Sequence, residues 1–169
     1  MTKAIVQRAR QEMVEQELKA EAAARVITEE GVPCLLLGRP GSGQTLIARR
    51  VAKYLGDVTF RAPHHTVSVL GMIGDKKRQG EIGLAKGGLL FLEEADEFAA
   101  HALNTIQRAV EQGADLLVVA SVNRAAIDAP GTRRLKKHLP AVFESVWLVE
   151  NLKMDKRKLG PCDACGCWK

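Results

Sequence analysis

The hydrophobic positions along the chain alternate between two spacings. Over residues 8–30, Val14, Leu18, Ala22 and Val26 recur four apart among Glu, Gln, Lys and Arg, which predicts one amphipathic helix with that stripe facing inward. Gly31 and Pro33 stop it. "CLLL", 34–37, is a short continuous apolar run of the kind that forms a buried parallel strand. A glycine-rich loop follows, and "TLIARRVAKYL", 45–55, predicts a helix with Leu46, Ile47, Val51 and Leu55 inward and Gly56 closing it. "VTF", 58–60, predicts a second strand, and the glycine-broken stretch 61–88 predicts loops and short hairpins. "GLLFLEEADEF", 88–98, starts as a third buried strand and ends in acids. "AAHALNTIQRAVEQG", 99–113, predicts a helix capped by Gly113. "DLLVVASVN", 115–123, and "SVWLVE", 145–150, predict the fourth and fifth strands. Strands alternating with helices point to an α/β fold, a mostly parallel five-stranded sheet with helices on both faces.

Composition narrows the class. The chain has 169 residues, enough for one domain with a core, and aromatics are only 4%, so Leu, Val, Ile and Ala must fill that core. No apolar run approaches the roughly 18 residues of a membrane span, and the charged N-terminus lacks a signal-peptide core, so a cytoplasmic protein without membrane partners is expected. Residues 1–130 balance at 16 Lys/Arg against 16 Asp/Glu, whereas residues 131–169 hold 9 against 4 and so the whole net charge of +5. A basic end of this kind is either solvated or attracts nucleic acid. We therefore divide the chain into a core, 1–150, and a basic cysteine-containing tail, 151–169.

"GRPGSGQT", 38–45, fits the phosphate-binding pattern G-x-x-x-x-G-K-[ST] at every fixed position except the lysine, where Gln44 stands. It follows a buried strand and opens a helix, the context such a loop requires. Gly38, Gly41 and Gly43 let the backbone curl with its N–H groups inward, Ser42 lies among them, and the helix beginning near Gly43 adds its positive end. The Thr45 hydroxyl is placed to ligate Mg²⁺. Gln44 can donate a hydrogen bond but carries no charge. A hydrogen bond to a charged partner contributes about 1.5–3 kcal/mol against about 1 for a neutral one, so the exchange costs roughly ten- to a hundredfold in phosphate affinity.

The third strand ends in Glu93-Glu94. In nucleotide hydrolases with such a loop, the neighbouring strand ends in Asp-Glu; the first acid holds Mg²⁺ through water and the second orients or deprotonates the attacking water. Glu93 is one methylene longer than aspartate, and octahedral Mg²⁺ tolerates misplacement poorly. Glu94 fits the base role, and Asn123, at the exit of the fourth strand, fits a residue beside the terminal phosphate that positions water.

The stretch 60–98 resembles the magnesium-chelatase ATPase-subunit family of AAA+ proteins, in its bacterial competence-linked branch. Phe60, Arg61, Pro63, His64, His65 and Thr66 match its F-R-x-P-H-H-T segment. Gly80, Glu81, Ile82, Leu84, Ala85, Gly88, Leu90, Phe91, Leu92, Glu94, Glu97 and Phe98 match the segment that ends in its acidic pair. The resemblance runs from about residue 14 to 150. It implies an AAA+ P-loop NTPase core that binds ATP and Mg²⁺ and assembles as a ring, with Gly38 to Thr45 as phosphate loop, Thr45 and Glu93 on Mg²⁺, Glu94 as base and Asn123 as first sensor. Four departures weaken hydrolysis. Gln44 and Glu93 replace lysine and aspartate, Ser145 stands where the family's arginine reaches a neighbour's site, and no helical lid is expected after residue 150. The family's cysteine cluster after the first sensor is also missing from "NRAAIDAPGTRR".

Two features stay open at this level. His64-His65 reads either as a hydrogen-bonded turn after Pro63 or as a metal pair. Cys162, Cys165 and Cys167 have zinc-knuckle spacing but need a fourth ligand for Zn²⁺, while Cys34 reads as a core residue. The expected function is an ATP-binding AAA+ module that is weak or inactive in hydrolysis. The rivals are an assembly or regulatory partner of an intact AAA+ ring, homo-oligomeric or mixed, and a nucleic-acid-associated module that uses the basic tail.

Overall fold

The computed structural model describes residues 2–56, 58–123, 143, 145–150 and 153–156. Helix α1 (Thr2–Glu30) leads into β1 (Cys34–Gly38), α2 (Gln44–Tyr54) and β2 (Phe60–Arg61). Two short helices, α3 (Val69–Ile73) and α4 (Glu81–Leu84), precede β3 (Gly88–Leu92) and a 3₁₀ turn at Ala95–Glu97. Helix α5 (Ala100–Glu111), β4 (Leu116–Asn123), β5 (Ser145–Glu150) and β6 (Lys153–Lys156) complete the described elements.

One six-stranded sheet runs in the order β2-β3-β4-β1-β5-β6. Strands β1 to β5 are parallel, as the apolar runs predict. The sixth strand is an addition to the expected five. It pairs antiparallel with β5, Trp147 opposite Lys156 and Glu150 opposite Lys153, and it falls inside the stretch assigned above to the tail. The glycine-broken stretch 61–88 holds two short helices, α3 and α4, where only loops and hairpins were expected.

The pleat divides the core into two layers, because successive strand side chains point to opposite faces. Leu35, Leu37, Leu90, Leu92, Val118, Ala120 and Val122 face α3 and α5, where Met72, Ala102, Leu103 and Ile106 meet them. Cys34, Leu36, Leu89, Phe91, Leu117, Val119, Trp147 and Val149 face α1 and α2. Helices thus cover both faces, and β1, β3 and β4 are buried throughout or nearly so.

The inward stripe expected on α1 is not the buried one. Ala20, Ala23, Ala24 and Ile27 are buried, while Val14 is 59% and Leu18 62% exposed. Ala22 is exposed as well, and Val26 is 39% exposed. Helix α1 packs on the small residues of α2, Ala48 and Ala52 beside Ile47 and Val51, and a seam of alanines accommodates such a neighbour where long side chains would overfill it. Arg50 pairs with Glu17, and the Tyr54 hydroxyl donates to Glu21 at 3.0 Å along the same seam. On α2, Ile47 and Val51 are inward as expected, whereas Leu46 and Leu55 are half-buried at the margin.

Candidate phosphate-loop site

The strand register gathers the candidate residues at one end of the sheet. Gly38 lies opposite Asn123, so β1 and β4 end level, and Leu92, just before Glu93, lies opposite Ala120, so β3 ends three positions earlier on the same side of the sheet. A cavity of about 350 Å³ opens there, lined by Pro40, Gly41, Gly43, Gln44, Thr45, Leu46, Glu93, Glu94, Ser121, Val122 and Asn123. Its size lies in the range of small-molecule sites, and its place is the crevice outside the strand ends where open α/β sheets take ligands.

The loop has the backbone that its glycines predict. Gly41 and Gly43 sit at φ 79° and 97°, the left-handed region that costs other residues energy. Gly38 is needed for a different reason: a Cβ there would collide with the Ser42 hydroxyl and the Val149 carbonyl and press on the Gln44 side chain at 3.3 Å. Ser42 is buried, and its Oγ lacks a hydrogen-bond partner. Gly43 caps α2 without any side-chain acceptor, so the free amides of the first turn face the loop. This is the arrangement that holds a phosphate by backbone alone.

Gln44 does something the sequence does not reveal. Its side-chain amide donates to the Leu36 carbonyl at 2.8 Å and to the Val122 carbonyl at 3.1 Å. A primary amide has two N–H donors, and both are engaged. Gln44 therefore ties β1 to β4 beneath the loop and has no donor left for a ligand. None of the described residues lining the cavity is Lys, Arg or His.

The acids are held by neighbours. The Thr45 hydroxyl donates to Glu93 Oε1 at 2.7 Å, which brings two hard oxygen donors together across 48 residues of sequence. This donor set suits Mg²⁺, which takes oxygen ligands and keeps several waters. Glu94 takes φ 53° and ψ 54°, and among described non-glycine residues it alone has a positive φ. Its backbone N–H donates to Ser121 Oγ at 3.2 Å, and Ser121 is itself buried. Backbone strain of this kind, of order 1–3 kcal/mol, persists where surroundings enforce it. Ser121 was not singled out from sequence, although a lone hydroxyl two residues before Asn123, on the same strand face, was a readable signal. Asp96, in the 3₁₀ turn behind Glu94, has a half-buried carboxyl with Oδ1 unpartnered. Desolvation raises its pKa above the ordinary value of 3.8, Glu97 and Glu94 add to the rise, and a backbone hydrogen bond opposes it.

Other expectations resolve as structure. His64 and His65 stack at 4.1 Å between ring centroids, and His64 Nδ1 lies 2.9 Å from Thr66 Oγ1. With the Val67 N–H donating to the His64 carbonyl at 2.9 Å, the pair forms a hydrogen-bonded turn. No cluster of metal-ligating side chains occurs among the described residues. Arg61 is bound bidentately by Glu81, at 2.8 and 2.9 Å, which fastens β2 to α4. Ser145 opens β5 opposite Cys34, at the far end of the strand from the cavity. Cys34 is buried, and burial, with Glu30 nearby, pushes its thiol far above its ordinary range. Cys162, Cys165 and Cys167 lie outside the described residues, and no described helix is long and apolar enough to cross a membrane.

The sheet order, the strand-loop-helix at its centre and the acidic end of β3 define a P-loop NTPase core of the AAA+ kind. Solved structures share this fold. NtrX from Brucella abortus in complex with ADP superposes with a TM-score of 0.62 at 19% identity, over 82% of this chain and 35% of its own. The same protein in complex with ATP gives 0.58 at 20%, over 77% and 35%. Within that class the likeness is particular: residues 52–130 match the family "Magnesium chelatase, subunit ChlI". The chain is 31% identical to YifB of Escherichia coli and 30% identical to competence protein ComM of Haemophilus influenzae. Each likeness covers 60% of this chain and 25% of the relative, so the chain spans about a quarter of these relatives' length. The chain is thus similar to the magnesium-chelatase family of AAA+ proteins and to its competence-linked relatives, and the family match begins after the altered loop.

Proposed function

We propose that this chain is a nucleotide-binding AAA+ module that holds ATP with Mg²⁺ weakly and hydrolyses it poorly or not at all. In this reading Gly38, Gly41, Ser42 and Gly43 cradle phosphate by backbone, Thr45 and Glu93 hold Mg²⁺, and Glu94 and Asn123 occupy the base and sensor positions. The observation that carries it is Gln44. The cradle and the Thr45–Glu93 pair are formed, yet both donors of the residue at the lysine position are spent on Leu36 and Val122. Binding then rests on backbone and metal, and no cation among the described residues lines the cavity to stabilise charge gathering on the terminal phosphoryl. Loss of one such group typically costs 10²–10³ in rate, and loss of an arginine finger about 10³–10⁵.

The experiment is a calorimetric titration with ATP and Mg²⁺ alongside an ATPase assay. The expected result is measurable but weak binding with turnover near background. Robust turnover that disappears in Glu94→Gln would sink this reading. A cavity with no cation among its described lining residues also favours a second reading, a non-enzymatic partner that docks with intact AAA+ relatives. Absence of nucleotide binding would select it. A cytoplasmic location and ring assembly belong to the same proposal.

A further inference from the structure

The phosphate-loop cavity is unequal in charge along its length. At one side the backbone does the holding. Gly41 and Gly43 take the left-handed region, and Gly43 leaves the first-turn amides of α2 without a side-chain acceptor. Amides arranged this way cradle the α and β phosphates of a nucleotide, whereas the loop lysine reaches the β and γ phosphates. Here that reach is missing, because both Gln44 donors end on the Leu36 and Val122 carbonyls, at 2.8 and 3.1 Å.

At the other side stand two carboxylates. Glu93 and Glu94 both line the cavity and both are exposed. The Thr45 hydroxyl that donates to Glu93 at 2.7 Å is neutral, so the acid keeps its charge. No Lys, Arg or His among the described residues lines the cavity or forms an ion pair with either acid. The Glu94 backbone is tethered there, its N–H bound to the buried Ser121 Oγ at 3.2 Å. Asp96 reports the same crowding of acids. Desolvation raises its pKa first, Glu97 and Glu94 raise it further, and a backbone hydrogen bond opposes them. A nucleoside triphosphate brings one more negative phosphoryl group than a diphosphate, and Mg²⁺ brings the same charge to both. Glu93 is answered by the metal it would hold, so Glu94 is the acid that the added group meets, and like charges that close repel. The inner phosphates keep their amides in either case.

We propose that this site prefers a nucleoside diphosphate with Mg²⁺ over the triphosphate, because Glu94 opposes a terminal phosphoryl that no lysine answers. The proposal rests on the reading that the loop holds nucleotide phosphate. Such a site keeps one nucleotide state rather than cycling between two. The test is calorimetric titration of the full chain with ADP and with the β,γ-imido analogue of ATP, each with excess Mg²⁺, the analogue preventing turnover. The expected result is ADP bound at least about fivefold more tightly. Gln44→Lys should move the ratio of triphosphate to diphosphate affinity toward the triphosphate by about fivefold or more, as a charged donor replaces a neutral one. Glu94→Gln should move it the same way by about threefold. Glu97→Gln, whose acid does not line the cavity, should leave the ratio where it is. Raising salt from about 50 to 500 mM should shrink the preference, since the acids involved are exposed. Equal or tighter binding of the triphosphate by the unaltered chain, or a ratio unmoved by Glu94→Gln or moved as far by Glu97→Gln, would overturn the proposal and leave nucleotide binding itself standing. Binding of neither nucleotide would remove the underlying reading and the proposal with it.

Discussion

Gln44, at the position where the phosphate-loop pattern has lysine, joins the ends of two strands. Lysine in its place would bring a charge to the cavity; glutamine brings two donors to the strand ends. Its replacements should therefore separate stability from binding. Gln44→Ala frees two carbonyls and should lower unfolding stability by about 1–3 kcal/mol, read by chemical denaturation, with little change in nucleotide affinity. Gln44→Lys should tighten ATP binding by about 1–3 kcal/mol, because a charge then meets the phosphates. Equal affinity of the two variants and the unaltered chain would mean that the loop holds no phosphate. Asp96 makes the opposite case, a charge in a place that resists it. Its folded pKa is raised, so the folded form binds the proton more tightly than the unfolded chain does. That contribution is complete below the ordinary carboxylate value and is lost as pH rises through the folded pKa. Asp96→Asn should raise the melting temperature at neutral pH, on the order of 1 °C given its partial exposure, and the gain should vanish toward pH of about 4. A gain that grows with acidity would contradict the sign.

At the scale of elements, the five parallel strands were legible, the antiparallel strand β6 was not, and the helix faces were only partly so. "CLLL" and "GLLFL" are apolar or glycine at every position because both sides of a parallel strand are covered. Helix α1 misleads because large residues carry the visible stripe while alanines carry the packing. Burial of Ala20, Ala23 and Ala24 follows from the closeness of α2, a tertiary fact that local hydrophobicity does not encode. The same holds for the site: the loop, Thr45, Glu93, Glu94 and Asn123 could be named from spacing, whereas Gln44 reaching a carbonyl 78 residues away could not. The α1 assignment is open to measurement. Ile27→Ala should cost about 2–5 kcal/mol by leaving a cavity in the core, while Leu18→Ser should stay within about 0.5. The reverse ranking would restore the stripe that the sequence suggests.

At the scale of the whole molecule, the question is where the folded body ends. Composition places the boundary at residue 150, because the apolar pattern stops and Lys and Arg accumulate. The sheet does not stop there. Strand β6 covers the outer edge of β5, where Trp147 and Val149 belong to the buried layer shared with α1 and α2, and β6 also touches α1. A strand reading Lys-Met-Asp-Lys is poor in apolar signal because it is an edge, and charged side chains on an edge discourage further pairing. Two truncations follow. Removing residues 157–169 keeps all six strands and should leave the melting temperature nearly unchanged. Removing residues 151–169 strips β6, opens the hydrogen-bonding edge of β5 and uncovers the buried layer beside it. It should lower the melting temperature by several degrees, since 1 kcal/mol moves a chain of this size by about 2–4 °C, and should increase self-association through the bared edge. Equal melting temperatures and equal light scattering for the two truncations would put the boundary back at residue 150 and reduce β6 to an appendage.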